Sequence, residues 1–284
     1  MPSNLIVRDR CFNWGQRTYL MGVLNVTPDS FSDGGDFNAI SSACKQAQAL
    51  VAAGADIIDI GGQSARPGAV QISVTEELER VLPVLQVLRK EIAVPISVDT
   101  TRAVVAKASR EAGADIINDI SGGTFDPDMF STVADLNVPI IIMHIRGNPQ
   151  TMNQLTDYED LLAEIDSFLA KQIAAATTVG IDRNKIIIDP GIGFAKNYEQ
   201  NLEIFRRLRS LTTLNCPILV GPSRKSFIGR ILNQPDAKLR VWGTAAACCA
   251  AIFNGADILR VHDVKEMRDV SLVADAIMRF IPEN

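Results

Sequence analysis

One short segment recurs along the chain and limits the possible folds more than any other feature. Ala53-Gly54-Ala55-Asp56-Ile57-Ile58-Asp59-Ile60 returns as Ala112-Gly113-Ala114-Asp115-Ile116-Ile117-Asn118-Asp119-Ile120. It returns again as Asn254-Gly255-Ala256-Asp257-Ile258-Leu259-Arg260-Val261. A looser copy runs Val179-Gly180-Ile181 and leads to Ile186-Ile187-Ile188-Asp189. Each glycine follows an Ala-rich helical stretch and suits the left-handed position just past a helix end. The β-branched run behind it does not alternate with polar residues, as in a strand buried on both faces. Each copy therefore marks a step from a helix into a parallel strand.

Further strands fit over 20–25, 94–99, 138–144 and 217–221. Helices fit over 39–53, 75–92, 102–112, 158–179, 197–211 and 239–253. Eight buried strands alternating with helices point to α/β architecture, a closed (β/α)8 TIM barrel. The rival is a doubly wound open sheet, which commonly carries a glycine-rich phosphate loop after its first strand. Neither G-x-G-x-x-G nor G-x-x-x-x-G-K-[ST] occurs in this sequence. No linker or shift in composition divides the chain, so residues 1–284 read as one domain. Residues 1–18 read as an N-terminal extension whose β-hairpin caps the barrel bottom.

With 28 basic and 33 acidic side chains the net charge is −5. This does not suggest a nucleic-acid or anionic-membrane surface. An anion would have to be held by a few local cations. The longest apolar run, 245–253, is far short of the ~18 residues that span a bilayer. The N-terminus has no apolar signal region, so secretion is not expected. Five cysteines without a C-x-x-C spacing read as reduced thiols in a cytoplasm.

In such barrels chemistry sits where the strands end. Here those ends are polar in order: Asn25, Asp59, Asp99, Asn118 with Asp119, Met143-His144, Asp189, Ser223-Arg224-Lys225 and Arg260-Val261-His262-Asp263. Asp99, Asn118 and Asp189 suit a planar heterocycle with several N–H donors and ring acceptors, and Lys225 a carbonyl on that ring. Arg260 and His262 are two apart, share a face and suit an anion, with Asn25 beside them. A structural role for His144, holding the loop after its strand, reads at least as well as ligand contact. The loops 27–35 and 61–68 carry Phe31 and Arg66 and look able to close over a site.

Together these segments resemble the dihydropteroate synthase family of pterin-binding barrels. Asn25-Val26-Thr27-Pro28-Asp29-Ser30-Phe31-Ser32-Asp33-Gly34-Gly35 is similar to the family's first signature, and Asp59-Ile60-Gly61-Gly62 with Arg66-Pro67-Gly68 to its second. Ser97-Val98-Asp99-Thr100, Ile117-Asn118-Asp119-Ile120, Met143-His144, Asp189-Pro190-Gly191-Ile192-Gly193-Phe194, Ser223-Arg224-Lys225-Ser226 and Arg260-Val261-His262-Asp263 follow in the family's order. The resemblance covers about 18–267. It implies condensation of 6-hydroxymethyl-7,8-dihydropterin pyrophosphate with 4-aminobenzoate in folate synthesis, with Mg²⁺ as cofactor and a homodimer as assembly. It implies catalytic roles for Asp99, Asp189 and Lys225, and a pterin site of Asp99, Asn118, Asp189, Lys225, Met143 and Phe194. Asn25, Arg66, Arg260 and His262 would hold the pyrophosphate, and Asn25 the metal. Thr27, Phe31, Pro67, Lys225 and Ser226 would hold the aminobenzoate.

Two positions depart from the family pattern: Ala65 stands where threonine is usual and Gln63 where glutamate is frequent. The lost hydroxyl is expected to act on the aminobenzoate side. Alternatives are a corrinoid-linked pterin methyltransferase and a catalytically inactive folate-binding relative. The first has no need of the Ser-Arg-Lys loop or the Arg-x-His pair, and the second should have lost Lys225 or Arg260. An aldolase barrel would need a lysine at the centre of a strand, and none of the eight has one.

Overall fold

The computed structural model describes residues 2–27 and 35–279, with 35–39 given by backbone alone. A small antiparallel hairpin, β1 (Leu5–Val7) and β2 (Arg10–Phe12), comes first. Eight parallel strands follow: β3 (Tyr19–Asn25), β4 (Ile57–Gly61), β5 (Ile96–Asp99), β6 (Ile116–Asp119), β7 (Ile140–Met143), β8 (Ile186–Asp189), β9 (Leu219–Val220) and β10 (Ile258–Val261). They lie in the order β8-β7-β6-β5-β4-β3-β10-β9. A parallel bridge between Ile188 and Ile218 joins the two ends and closes the ring. The helices between them are α1 (Gly35–Ala52), α2 (Val74–Glu91), α3 (Ala103–Ala112), α4 (Met129–Leu136), α5 (Leu161–Thr178), α6 (Tyr198–Arg207), α7 (Ser226–Leu232), α8 (Val241–Phe253) and α9 (Val264–Met278). The expected TIM barrel is present.

Strand residues alternate between two cores, as period two requires. Leu20, Ile58, Val98, Ile117, Ile142, Ile188 and Leu259 face the helices. Met21, Ile57, Ile116, Ile141, Ile187, Leu219 and Ile258 face inward and form a separate lower core with Leu5, Val7, Phe12 and Trp14 of the hairpin segment. Phe12 stacks on Trp14 at 5.6 Å between ring centroids, so the hairpin plugs the bottom as expected.

The recurring Gly-Ala-Asp does two jobs. Gly54, Gly113, Gly180 and Gly255 adopt φ of 103, 114, 104 and 98°, the left-handed region open to glycine. The aspartate that follows three of them ties the new strand to the preceding one. Asp56, Asp115 and Asp257 are buried, and their carboxylates accept the backbone N–H of Leu20, Ile96 and Ile218 at 2.9, 3.0 and 3.0 Å. An arginine neutralises each: Arg17 on Asp56 at 2.7 Å, Arg89 on Asp115 at 2.7 Å and Arg279 on Asp257 at 3.9 Å.

Helix α4 has no counterpart in the sequence-based assignment. It is only eight residues long and lacks the Ala-rich signature, and the helix end is taken by Asn137 (φ 55°) instead of glycine. Asn215 (φ 50°) does the same after the 3₁₀ turn Leu208–Leu214, which replaces the last turn expected of the helix over 197–211. Asparagine enters the left-handed region because its short amide bonds locally, and the Ala-Gly-Ala pattern cannot reveal it.

Candidate active site

One step above the inward apolar layer, the same alternation turns Asp59, Asp99, Asn118, Met143, Asp189 and Arg260 into the barrel mouth. A single network joins four of them. Arg260 Nε donates to Asp59 Oδ2 at 2.7 Å, and its Nη2 donates to Asp99 Oδ2 at 3.2 Å. Asn118 Nδ2 donates to the same Asp59 oxygen at 3.1 Å. Asp59 is fully buried, yet Asp59 Oδ1 has no hydrogen-bond partner among the described residues. The sequence reading placed Asp59 at a strand end and gave it no site role. The structure makes it the junction between Arg260, expected to hold the anion, and Asn118, expected to hold the pterin. Its signal was the acidic residue inside an otherwise apolar strand.

Burial in this network weakens the acids. Asp99 is pushed up to about 7 by desolvation, opposed by Arg260 and reinforced by Asp59. Asp189 rises to about 6 for the same first reason, with the Gly191 N–H at 2.7 Å pulling it back. Lys225 is pushed down to about 8 by burial and by Arg260, with Asp189 and Asp99 resisting. Its Nζ stands 4.3 Å over the ring centre of Phe194, so the lysine and the aromatic face share one wall.

The backbone of the Ser-Arg-Lys loop sorts its two cations. Arg224 is left-handed (φ 61°), and its guanidinium turns away to pair with Asp263 at the end of β10. Lys225 is thereby left on the mouth side. Ser226, exposed, opens α7.

His262 shares the end of β10 with Arg260 but not its charge. Burial and the neighbouring Arg224 and Arg260 push it down to about 3, so it is neutral at physiological pH. Its backbone N–H donates to Ser223 Oγ at 3.1 Å, and that hydroxyl lies 2.9 Å from Nδ1. The Ser223 hydroxyl thus holds the ring through Nδ1 and leaves Nε2 as its free nitrogen. Arg260 carries the charge alone, and two carboxylates already engage it.

The loop after β4 is held by Gln63. Its amide donates to the carbonyls of Ser64 and Val70 at 2.9 and 3.1 Å and accepts the Ile72 N–H at 2.8 Å. A glutamate could only accept. Ala65 packs on a small apolar cluster that includes Ile120, Met143 and Phe194. Its side chain thus leans on Met143 and Phe194. Arg66 and Pro67 are exposed on this loop, outside the inward network. Asn25 ends β3 at the rim. A side chain built at Gly61 would meet Asn25 Oδ1 at 3.7 Å and Asp99 Oδ2 at 3.8 Å, so the glycine leaves the two facing one gap. Thr27 is the last described residue before 28–34, and Phe31 lies outside the described residues.

His144 is structural. It is 1% exposed, meets Phe168 edge-on at 5.0 Å and contacts Lys196. Lys196 itself escaped the sequence reading. Its signal was a lone cation closing the otherwise apolar Pro190-Gly191-Ile192-Gly193-Phe194-Ala195 run.

A family model described as pterin binding enzyme matches residues 21–262. The dihydropteroate synthase of Synechocystis sp. is 58% identical over 278 residues, 98% of this chain and 96% of that protein. Among solved structures, the dihydropteroate synthase of Xanthomonas albilineans with 4-aminobenzoic acid superposes with a TM-score of 0.91 at 40% identity, covering 98% of both chains. The dihydropteroate synthase of Clostridium difficile in the presence of pteroic acid gives 0.90 at 44%, covering 95% of this chain and 100% of that one.

Proposed function

This chain belongs to the pterin-binding enzymes, among the dihydropteroate synthases, and we infer that it is the transferase of folate biosynthesis that joins 6-hydroxymethyl-7,8-dihydropterin pyrophosphate to 4-aminobenzoate, releasing pyrophosphate. The observation that carries the reading is the convergence of Asp99, Asn118, Met143, Asp189, Arg260 and Lys225 on one mouth. Asp99, Asn118 and Asp189 offer acceptors and a donor to the edge of the pterin ring. Phe194 and Met143 offer it apolar contact. Arg260 and the neutral His262 face the leaving group with a charge and an imidazole. As the bond to pyrophosphate breaks, positive charge develops on the pterin methylene and spreads into the ring. The ionised Asp99 and Asp189 stabilise that charge in a dry setting. The aminobenzoate amine then attacks, with Lys225 and Ser226 beside it. A dissociative substitution of this kind needs no protein nucleophile.

The donor set fits Mg²⁺ as an ion that arrives with the pyrophosphate. Asn25 offers one amide oxygen at the rim, and Mg²⁺ commonly combines one or two protein oxygens with phosphate oxygens and water. The ion would neutralise charge on the departing pyrophosphate. The test is sustained, multiple-turnover pyrophosphate release that requires both substrates and Mg²⁺. Release from the pterin substrate in buffer containing neither aminobenzoate nor metal would overturn it. The same assay has an expected pH shape. Activity rises as Asp189 and Asp99 ionise through about 6 and 7, and it falls as Lys225 loses its proton near 8. A flat profile between these limits would contradict the assigned roles.

Among the described residues no helix is long and apolar enough to cross a membrane. All five cysteines are free, which supports the cytoplasm as the compartment. A second copy of the chain is the partner we favour. On α8 the small residues Thr244, Ala245, Ala247, Cys248 and Ala251 are buried within the chain itself. Trp242 and, on the adjoining α9, Leu272, Val273 and Ile277 are exposed apolar side chains, between 51% and 75% accessible. Val273→Glu with Ile277→Glu is expected to convert a dimer into a monomer in sedimentation. A wild-type chain that sediments as a monomer would remove the proposal.

A further inference from the structure

The loop after β8 crosses the end of β7 more closely than any side chain would allow. A Cβ at Gly191 (φ 73°) would lie 2.0 Å from the carbonyl oxygen of His144. From there the loop runs through Gly193 (φ 79°) and a left-handed Ala195 (φ 49°) to Lys196. The Lys196 side chain folds back under it and is 7% exposed. Its Nζ lies 2.8 Å from the Phe194 carbonyl, 3.4 Å from the His144 carbonyl and 2.9 Å from His144 Nδ1. An ammonium has three donors, and here it meets three acceptors. Nothing in the reaction uses this group, and its surroundings hold Asp189 and Phe194 at the ends of one short loop.

We propose that Lys196 is a positioning residue of the pterin site: bonded to His144 and to the Phe194 carbonyl, it fixes the loop that presents Asp189 and Phe194 to the ring. The proposal rests on the pterin reading of the site. The clamp is also built to survive the loss of a proton. Burial drives Lys196 down to about 7, and the groups facing it are Asp189 and Glu164, which hold its proton, and Lys225 and Arg146, which repel it. Tyr158, which packs on the His144 ring from the α5 side, stays protonated because burial raises it. His144 takes no second proton, since burial and Lys196 push it down to about 2. As an amine, Lys196 has two donors and a lone pair. It can keep both carbonyls and accept from Nδ1–H if His144 changes tautomer. Nζ then passes a proton across the 2.9 Å bond to Nδ1 while Nε2 releases its own on the side of Glu164, 4.0 Å away, so one proton leaves in all and the bond to Lys196 reverses direction without breaking.

Two measurements test this. In steady-state kinetics, Lys196→Met is expected to raise the KM for the pterin pyrophosphate by about tenfold or more, the scale of a lost set of charge-assisted hydrogen bonds. The KM for aminobenzoate should stay within about twofold, since Lys196 touches nothing on that side. Lys196→Arg should recover part of the loss. An unchanged pterin KM in a folded Lys196→Met would overturn the positioning role. The second measurement uses the unliganded wild type and needs no variant to fold. The chain has two histidines, so ring-nitrogen NMR resolves two spin systems. His144 is expected to change from the Nε2–H to the Nδ1–H tautomer with a midpoint near 7, the value at which Lys196 loses its proton. One tautomer throughout that range would refute the shared proton. If the wild type fails to turn over, the pterin reading fails, while the tautomer change still stands or falls by itself.

Discussion

Replacing Arg260 with methionine should lower kcat/KM on the order of 10²–10³, the usual cost of removing one preorganised charge partner from a transition state. Among the described residues the arginine is the only cation in direct hydrogen-bond contact with both Asp59 and Asp99, at 2.7 and 3.2 Å. His262 cannot substitute, because its environment keeps it neutral. The variant should also lose roughly 3–5 kcal/mol of stability, since Asp59 remains buried without its counter-charge. That loss should depend on pH with a defined sign. Asp99 already has a raised pKa of about 7 in the folded protein, so folding favours its neutral form. A raised carboxylate contributes stability below its unfolded pKa of about 3.9 that is lost as pH rises through the folded value. Without Arg260 the folded value climbs further. The deficit measured by denaturant unfolding should therefore be smaller near pH 5 than near pH 8. Equal deficits at both would show that Asp99 does not feel Arg260.

Asp115→Ala should cost roughly 3–5 kcal/mol without touching the site, a fall in Tm of about 10 °C for a chain of this size. The carboxylate joins the Arg89 guanidinium at 2.7 Å to the Ile96 N–H at 3.0 Å, and both it and Arg89 are largely buried. Removal strands a cation and a backbone donor together. Any protein that remains folded should keep its KM values, because Asp115 lies at the opposite end of the barrel from the mouth. A melting temperature within a degree or two of wild type would mean that the recurring aspartate is incidental.

The recurrence in the sequence was enough to place the barrel, its plug and most of its elements. Glycine past a helix end and a β-branched run are local signals, and the helices and strands follow them. The site set was legible for a related reason. Asp99, Asn118, Met143, Asp189 and Arg260 end strands whose inward and outward positions follow from alternation alone. The parts that stayed hidden depend on partners distant in sequence. Asp59 gained its role only when Arg260, 201 residues away, met it across the mouth. Lys196 needed His144, 52 residues earlier, to become a clamp. His262 was placed beside Arg260 at an anion, and a sequence does not show the desolvation that leaves its imidazole neutral.

The aspartate ties at the barrel floor have a consequence for fidelity. They join residues 36, 19 and 39 apart, loops whose closure costs little entropy. Each links one strand to the next, β3 to β4, β5 to β6 and β9 to β10. A slip of one residue within any such pair would reverse the side chains of a whole strand. Asn118 or Asp99 would then face the helices, and an isoleucine or valine would line the mouth. The three carboxylates far from any ligand act as spelling checks: they decide which letter of each strand is read at the top.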